Sequence, residues 1–349
     1  MSSSSIHISD IRAFRQCRRK WNWVSPLRNN LEPNIPYAPF YTGRAVHAAL
    51  EFYYRDGIAL GETVEKYLES EEAAMLINGM WESERQTFEE QMDLIRAIVG
   101  HYEMWVSTDT KVYSDRNLTF VALELPFEIP LPGVEGATFG GRFDGIVHHK
   151  ERGEMWIWET KTTRSIAELT SSLGNDEQSG LYMYAARQLG YPVVGVLYNM
   201  LRKKAPAEPA MLASGGLSKA KSIDTSAAYY AHCLQRHFPD WEPETIQEQY
   251  GDILGSLKPN ENKFFQRFPI YRSAYELNHL VENLAATAKE MMNADLPIYP
   301  APSWVSCNFC SFKPACLTMN AGGNYEVLLA EEFREKVSNT SMRKEDADE

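Results

Sequence analysis

The sequence predicts an α/β fold: a mixed central sheet flanked by helices, with large helical additions. Two helices lie near the start, and residues from about Glu62 to Val106 are patterned as helices with few breakers. The period then shortens to two over three segments separated by Pro/Gly-rich or charged turns. A helix and one more strand follow. The order helix, three meandering strands, helix, strand is that of a sheet with helices packed on it. A four-strand core in a chain of 349 residues leaves much of the length to helices.

The elements can be justified in turn. "ISDIRAFRQCRRKW" reads as one helix, with Ser9 as N-cap and Ile11, Phe14 and Arg18 at helical spacing. "TGRAVHAALEFYYRDG" is a second helix ending near Gly57, and residues 62–106 hold two or three more. The strands are "TFVALELPFEIP", "TFGGRFDGIVHH" and "EMWIWETKT". "NDEQSGLYMYAARQLGY" is a helix closed by Gly190, and "PVVGVLYNML" is the strand after it. From Arg202 to about Asn260 the pattern is weak, apart from a helix in "SAAYYAHCLQRHF". "AYELNHLVENLAATAKEMMN" is an amphipathic helix, and there is no internal repeat or evident linker.

Composition narrows the class. No apolar run reaches membrane-spanning length, and "MSSSSIHISD" lacks the layout of a signal peptide, so a cytoplasmic protein is expected. The net charge of −12 speaks against nucleic acid at first. Yet Arg12, Arg15, Arg18, Arg19, Lys20 and Arg28 lie together with no acid between Ile11 and Leu31, and "LRKKAP" is a second basic cluster. Much of the acid sits in "GETVEKYLESEEAAM", a solvated helical face, and in the closing "MRKEDADE", expected to be a disordered tail. Clustered cations on an acidic chain are compatible with DNA binding.

The chemistry concentrates at the end of the third strand. Glu159 and Lys161 alternate with Thr160 and therefore project to one side. Alone, the pair is a surface salt bridge worth under about 1 kcal/mol. The preceding turn, "KERGE", changes that reading. A two-residue loop at Glu151-Arg152 or Arg152-Gly153 sets Asp144 opposite Glu159 or Lys161, on the same sheet face. Two carboxylates that close repel each other, and a hard divalent cation relieves the repulsion.

The cysteines form a second constellation. Cys307, Cys310 and Cys316 are spaced C-x2-C-x5-C, which in a cytosolic chain points to metal rather than disulfide. A sulfur site wants a fourth ligand, and Cys17 is the candidate; Cys233, inside a helix, reads as a buried thiol. Ligand chemistry alone leaves zinc and iron–sulfur both open.

"GGRFDGIV" followed by "IWETKT" resembles the D…E-x-K core of the PD-(D/E)XK nucleases, a restriction-endonuclease-like fold, in its RecB-like branch. "GRAVHAALE" and "EQSGLYMY" match that branch's helical histidine and its Gln-x-x-x-Tyr. Phe143 stands where the superfamily name has proline, as is common in the branch. The resemblance implies that His47, Asp144 and Glu159 bind Mg²⁺ or Mn²⁺, with the Thr160 carbonyl as a further ligand. It makes Lys161 the catalytic lysine and gives Gln178 and Tyr182 a role in holding DNA or orienting the site. Glu124 aligns loosely with a strand acid of the branch and counts as support only. The cysteine layout resembles a subset that includes exonuclease V, the AddB nuclease domain and CRISPR-associated RecB-like adaptation nucleases. It implies a [4Fe–4S] cluster on Cys17, Cys307, Cys310 and Cys316, with zinc as the alternative.

The expectation is a metal-dependent DNA nuclease, an exonuclease acting on single-stranded or end-opened DNA. The alternatives are a non-catalytic DNA-binding module of the same fold and a zinc-stabilised scaffold. One nuclease domain is expected over 1–330, with helices at 9–107, the core at 118–201, an insertion at 202–298, the cluster segment at 299–320 and a flexible tail at 331–349.

Overall fold

A computed structural model describes residues 4–34, 39–77, 82–258 and 263–336. The chain runs β1 (Ser4–Ile6), α1 (Ile8–Gln16), α2 (Arg18–Val24), β2 (Leu31–Pro33), α3 (Pro39–Asp56), α4 (Leu60–Ile77) and α5 (Glu82–Thr108). β3 (Leu118–Pro130), β4 (Ala137–His149) and β5 (Met155–Thr163) follow as the expected meander. Then come α6 (Ile166–Ser172), α7 (Glu177–Gln188), β6 (Val193–Arg202), α8 (Ala227–His237), α9 (Pro243–Leu257) and β7 (Phe265–Tyr271). The chain closes with α10 (Ala274–Met291), α11 (Trp304–Asn308), α12 (Lys313–Asn320), α13 (Tyr325–Glu332) and β8 (Phe333–Glu335). Among the described residues no helix is long and apolar enough to cross a membrane.

The main sheet has the order β1-β4-β5-β6-β7, with β3 also paired to β4. β4 and β5 are antiparallel, β5 and β6 parallel, β6 and β7 antiparallel, and β1 runs parallel to the start of β4. The sheet is therefore mixed and helix-flanked, as expected. β1 and β7 extend it beyond the four strands read from sequence. Three residues are too few to show a period in β1. In β7, Pro269 breaks the strand signal, and it is tolerated because β7 is an edge strand.

The chain divides into two compact units. One comprises Met1–Tyr37, Pro126–Arg142 and Ala274–Glu349; the other comprises Ala38–Leu125 and Phe143–Ser273. The larger unit is built on the fully buried Trp156, Trp158, Tyr102, Tyr198 and Phe143. At Gly195 a Cβ would lie 2.6 Å from the Trp156 ring and 2.4 Å from the Ile270 carbonyl, so the close approach of β7 requires glycine. A satellite core forms where α8 and α9 bury Tyr230, Cys233, Leu234 and Tyr250, and Cys233 is a packed thiol there.

In the smaller unit the first helix departs from expectation. It is two helices, α1 and α2, hinged at Cys17, whose backbone is extended (φ −166°, ψ 114°). The N-cap is His7 rather than Ser9: the His7 amide donates to Asp10 Oδ2 at 3.1 Å in a reciprocal capping box. The break is compensated by the neighbouring segment, since the Arg19 amide donates to the Tyr299 carbonyl at 3.1 Å. Of the stretch expected as a tail, residues up to Glu335 complete α13 and form β8, which pairs with β2. "MRKEDADE" lies outside the described residues.

Candidate functional site

The β4–β5 hairpin sets the geometry. Its register pairs Gly145 with Trp158 and Ile146 with Ile157, so the next residues outward, Asp144 and Glu159, face each other. This is the register expected for a turn centred on Glu151-Arg152. The turn closes through His149 N–H to the Glu154 carbonyl at 2.8 Å, and Gly153 takes the left-handed φ of +66°.

Asp144 Oδ2 accepts from the Thr160 amide at 2.8 Å and lies 3.4 Å from His47 Nδ1 on α3. Burial would raise the Asp144 carboxyl, but His47, the Thr160 amide and Lys161 outweigh it and hold it below its ordinary value. Burial would likewise lower His47, yet Asp144 and Glu159 push the imidazole up to about 9. Glu124, on β3, completes the group. One ligand atom from each of His47, Glu124 and Asp144 lies within 4.8 Å of the others. Thr160 lines the same small cavity.

Glu124 is also a backbone outlier. Its φ is +45°, in the left-handed region that favours glycine, inside a strand where extended backbone is the rule. Its side chain thereby joins the group through a local cost, a pattern that clusters at functional sites. The sequence reading held Glu124 only as support. Its alternation with Leu123 and Leu125 shows a strand acid, but the backbone reversal leaves no local signature.

Glu159 is 3% exposed. Its Oε1 accepts from Lys161 Nζ at 2.5 Å and from Gln178 Nε2 at 2.7 Å, while Lys161 also donates to Gln178 Oε1 at 3.3 Å. Burial, with Asp144 adding to it and Lys161 opposing, pushes the Glu159 carboxyl up to about 7. Gln178 is held at the start of α7, where Asp176 Oδ1 caps its amide at 3.2 Å and Asp176 Oδ2 accepts from Tyr198 at 2.7 Å. Arg272 ties down the same loop by donating to the Leu173, Gly174 and Asp176 carbonyls. Neither Arg272 nor Asp176 was singled out from sequence. Tyr182 stands one turn beyond Gln178, with its ring edge-on to Phe143 at 5.6 Å, so it braces the strand that carries Asp144.

One imidazole and several carboxylates on a half-buried face suit a hard or borderline divalent cation, Mg²⁺ or Mn²⁺. The electrostatics agree. The acids are paired with protons or ammonium groups, and a cation could take over that role.

The four cysteines lie together in the smaller unit. The hinge at Cys17 turns its thiol toward the segment 300–302, and Cys17, Cys307, Cys310 and Cys316 line one cavity of about 150 Å³. The Ala301 and Ser303 amides reach Cys17 and Cys307 Sγ at 3.4 Å, and the Arg19 guanidinium reaches Cys316 Sγ at 3.3 Å. Trp23 and Phe312 close the core beside them.

A search of curated proteins finds no match. The model of the PD-(D/E)XK nuclease superfamily matches residues 6–317, a span holding every residue of both constellations. With nearly the whole chain matched and an acid–lysine hairpin at its centre, this protein belongs to the PD-(D/E)XK nuclease superfamily, whose members are generally nucleases.

Proposed function

We propose that the chain is a DNA exonuclease that hydrolyses phosphodiesters in single-stranded or end-opened DNA. One observation carries the reading. His47, Glu124 and Asp144 converge within 4.8 Å beside the hydrogen-bonded unit of Glu159, Lys161 and Gln178. His47, Asp144 and Glu159 would hold Mg²⁺ or Mn²⁺, with Glu124 and the Thr160 carbonyl adding oxygen donors. The bound ion supplies an activated hydroxide and neutralises phosphate charge. The imidazole donor favours good activity with Mn²⁺.

Lys161 places its ammonium where negative charge develops on the attacked phosphate. Gln178 fixes the geometry, since its amide bridges Lys161 and Glu159. Thr160 keeps Asp144 oriented through its amide. Tyr182 supports the strand beneath.

Cys17, Cys307, Cys310 and Cys316 would hold a [4Fe–4S] cluster, with zinc as the competing occupant. Zinc draws four sulfurs to about 2.3 Å from one point. The spacing of the four cysteines, one early in the chain and three as C-x2-C-x5-C, is what favours the cluster. Donors aimed at Cys17, Cys307 and Cys316 also suit the hydrogen bonding that tunes cluster thiolates.

The test is digestion of end-labelled DNA with Mg²⁺ or Mn²⁺, comparing linear duplex, circular and single-stranded substrates. Cutting of single strands and open ends, with circles spared, is the expected outcome. Lys161→Ala should lower the rate by on the order of 100-fold or more while leaving DNA affinity near wild type. No metal-dependent cutting of any substrate by the wild-type protein would overturn the reading.

A further inference from the structure

The basic cluster "LRKKAP" plays no part in the site described above, and the tertiary structure gives it a place. The β5–β6 register pairs Glu159 with Tyr198, Lys161 with Met200 and Thr163 with Arg202. Paired residues share a sheet face, so Arg202 lies on the face that carries Glu159 and Lys161. It stands on the neighbouring strand, one same-face step, about 7 Å, further along the sheet than Lys161. Gln266 of β7 pairs with Met200 and joins the same face.

These side chains open into a groove of about 480 Å³, lined by Arg164, Ser165, Arg202, Asp224, Lys263 and Gln266. Arg164 and Lys263 are exposed, and neither has an ion-pair partner among the described residues. Lys203 sits against Arg164, and burial together with that neighbour lowers its pKa. Among the described residues Asp224 is the one acid lining the groove; it accepts from Arg202 at 2.9 Å and Lys204 at 2.7 Å. In a chain of net charge −12, such a cluster of cations beside an acid–lysine face suits a polyanion.

We propose that this groove carries the phosphate backbone of the DNA strand leading to or from the Lys161 site. Arg164 and Lys263 contact phosphates directly, and Arg202 does so in competition with Asp224. At about 3.4 Å of rise per nucleotide in duplex, a 7 Å step places Arg202 about two nucleotides from the attacked phosphodiester. Asp224 sets the strength of the grip, because it neutralises Arg202 and Lys204.

The inference rests on the nuclease reading, and one assay separates the two. Binding of labelled single-stranded and duplex oligonucleotides is measured across a salt series with Ca²⁺ in place of the catalytic ion. Arg164→Glu combined with Lys263→Glu should raise Kd by on the order of tenfold and flatten the log Kd–log salt slope by roughly 1.4 for single strands and 1.8 for duplex. Asp224→Asn should move both quantities in the opposite direction, tightening binding and steepening the slope, which a merely structural role would not produce. Arg152→Glu, at the distal hairpin turn, is the control and should change neither. Wild-type slopes in the double variant, with DNA still bound and cut, would overturn the groove alone. Binding that responds to the variants in a protein that never cuts would overturn the catalytic reading and keep the groove. Absence of any wild-type binding would overturn both.

Discussion

Replacing Glu124 should separate stability from function, with the usual order of two residues reversed. Glu124 holds φ at +45°, a conformation that costs a non-glycine residue roughly 1–2 kcal/mol. Alanine keeps that cost; glycine removes it but loses more backbone entropy on folding, and in ordinary strand backbone is the weaker choice by about 0.5–1 kcal/mol. Here the balance tips, so Glu124→Gly should exceed Glu124→Ala in stability by about 1 kcal/mol or less. With about 2.1 cal/mol/K of unfolding entropy per residue, 1 kcal/mol corresponds to about 1.4 °C in Tm for a chain of this length. The comparison is made by calorimetry in EDTA, where the metal makes no contribution. Both variants remove one carboxylate from the group with His47 and Asp144. Their Mn²⁺ affinity, read by calorimetric titration, should fall at least about tenfold. A Glu124→Gly Tm below that of Glu124→Ala by about 0.7–1.4 °C in EDTA, the ordinary glycine penalty, would show that the backbone at 124 stores no strain. Wild-type Mn²⁺ affinity in both would remove Glu124 from the metal centre.

Further predictions concern pH, the cysteines and a buried cation. His47 at about 9 and Glu159 at about 7 both lie above their ordinary values of 6.5 and 4.5, so the metal-free folded protein binds extra protons. That stability is fully present below about pH 4.5 for Glu159 and 6.5 for His47, and is lost as pH rises through about 7 and 9. Mn²⁺ competes with the same protons, so the Tm gain on adding it should grow from about pH 6 to pH 8; a pH-independent gain would refute this linkage. Cys17→Ser should abolish the visible absorbance of anaerobically purified protein, and the wild type should contain about four irons per chain. One zinc and no colour would replace the cluster with zinc. Arg267, 3% exposed and stacked between Trp105 and Trp158, is ion-paired to Asp115. Asp115→Ala should therefore cost roughly 3–5 kcal/mol in urea unfolding, and a loss below about 1 kcal/mol would mean that the Tyr113 carbonyl, the Tyr54 and Tyr102 hydroxyls and the aromatic faces satisfy the guanidinium without the carboxylate.

Much of the site was legible locally. The ends of α3 and α7 and the four main strands follow from period and from glycines at φ +67° after α3 and +88° after α7. The turn at Lys150–Gly153 sets Asp144 against Glu159 because a hairpin register depends only on its own few residues. What was not legible depends on contacts made far along the chain. Cys17 lies in a helical pattern, and the break there is stabilised by the Tyr299 carbonyl, 280 residues away in sequence. Glu124 reaches His47 and Asp144 through a left-handed backbone that no neighbour announces. Arg267 lies in a segment with no readable pattern, and only packing encloses it between Trp105 and Trp158.

From the sequence alone came the chemical inventory and its order: an acid, an acid–lysine pair on one side of a strand, a histidine, a Gln-x-x-x-Tyr and four thiols. Periodicity and turn chemistry act over a handful of residues, and both survive in a string of letters. The tertiary structure decided which of these groups touch: Gln178 bridging Lys161 and Glu159, Glu124 joining His47, and Arg202 sharing the face of Lys161. Those choices belong to packing, where a side chain's partner is set by the whole surrounding core rather than by its neighbours in the chain.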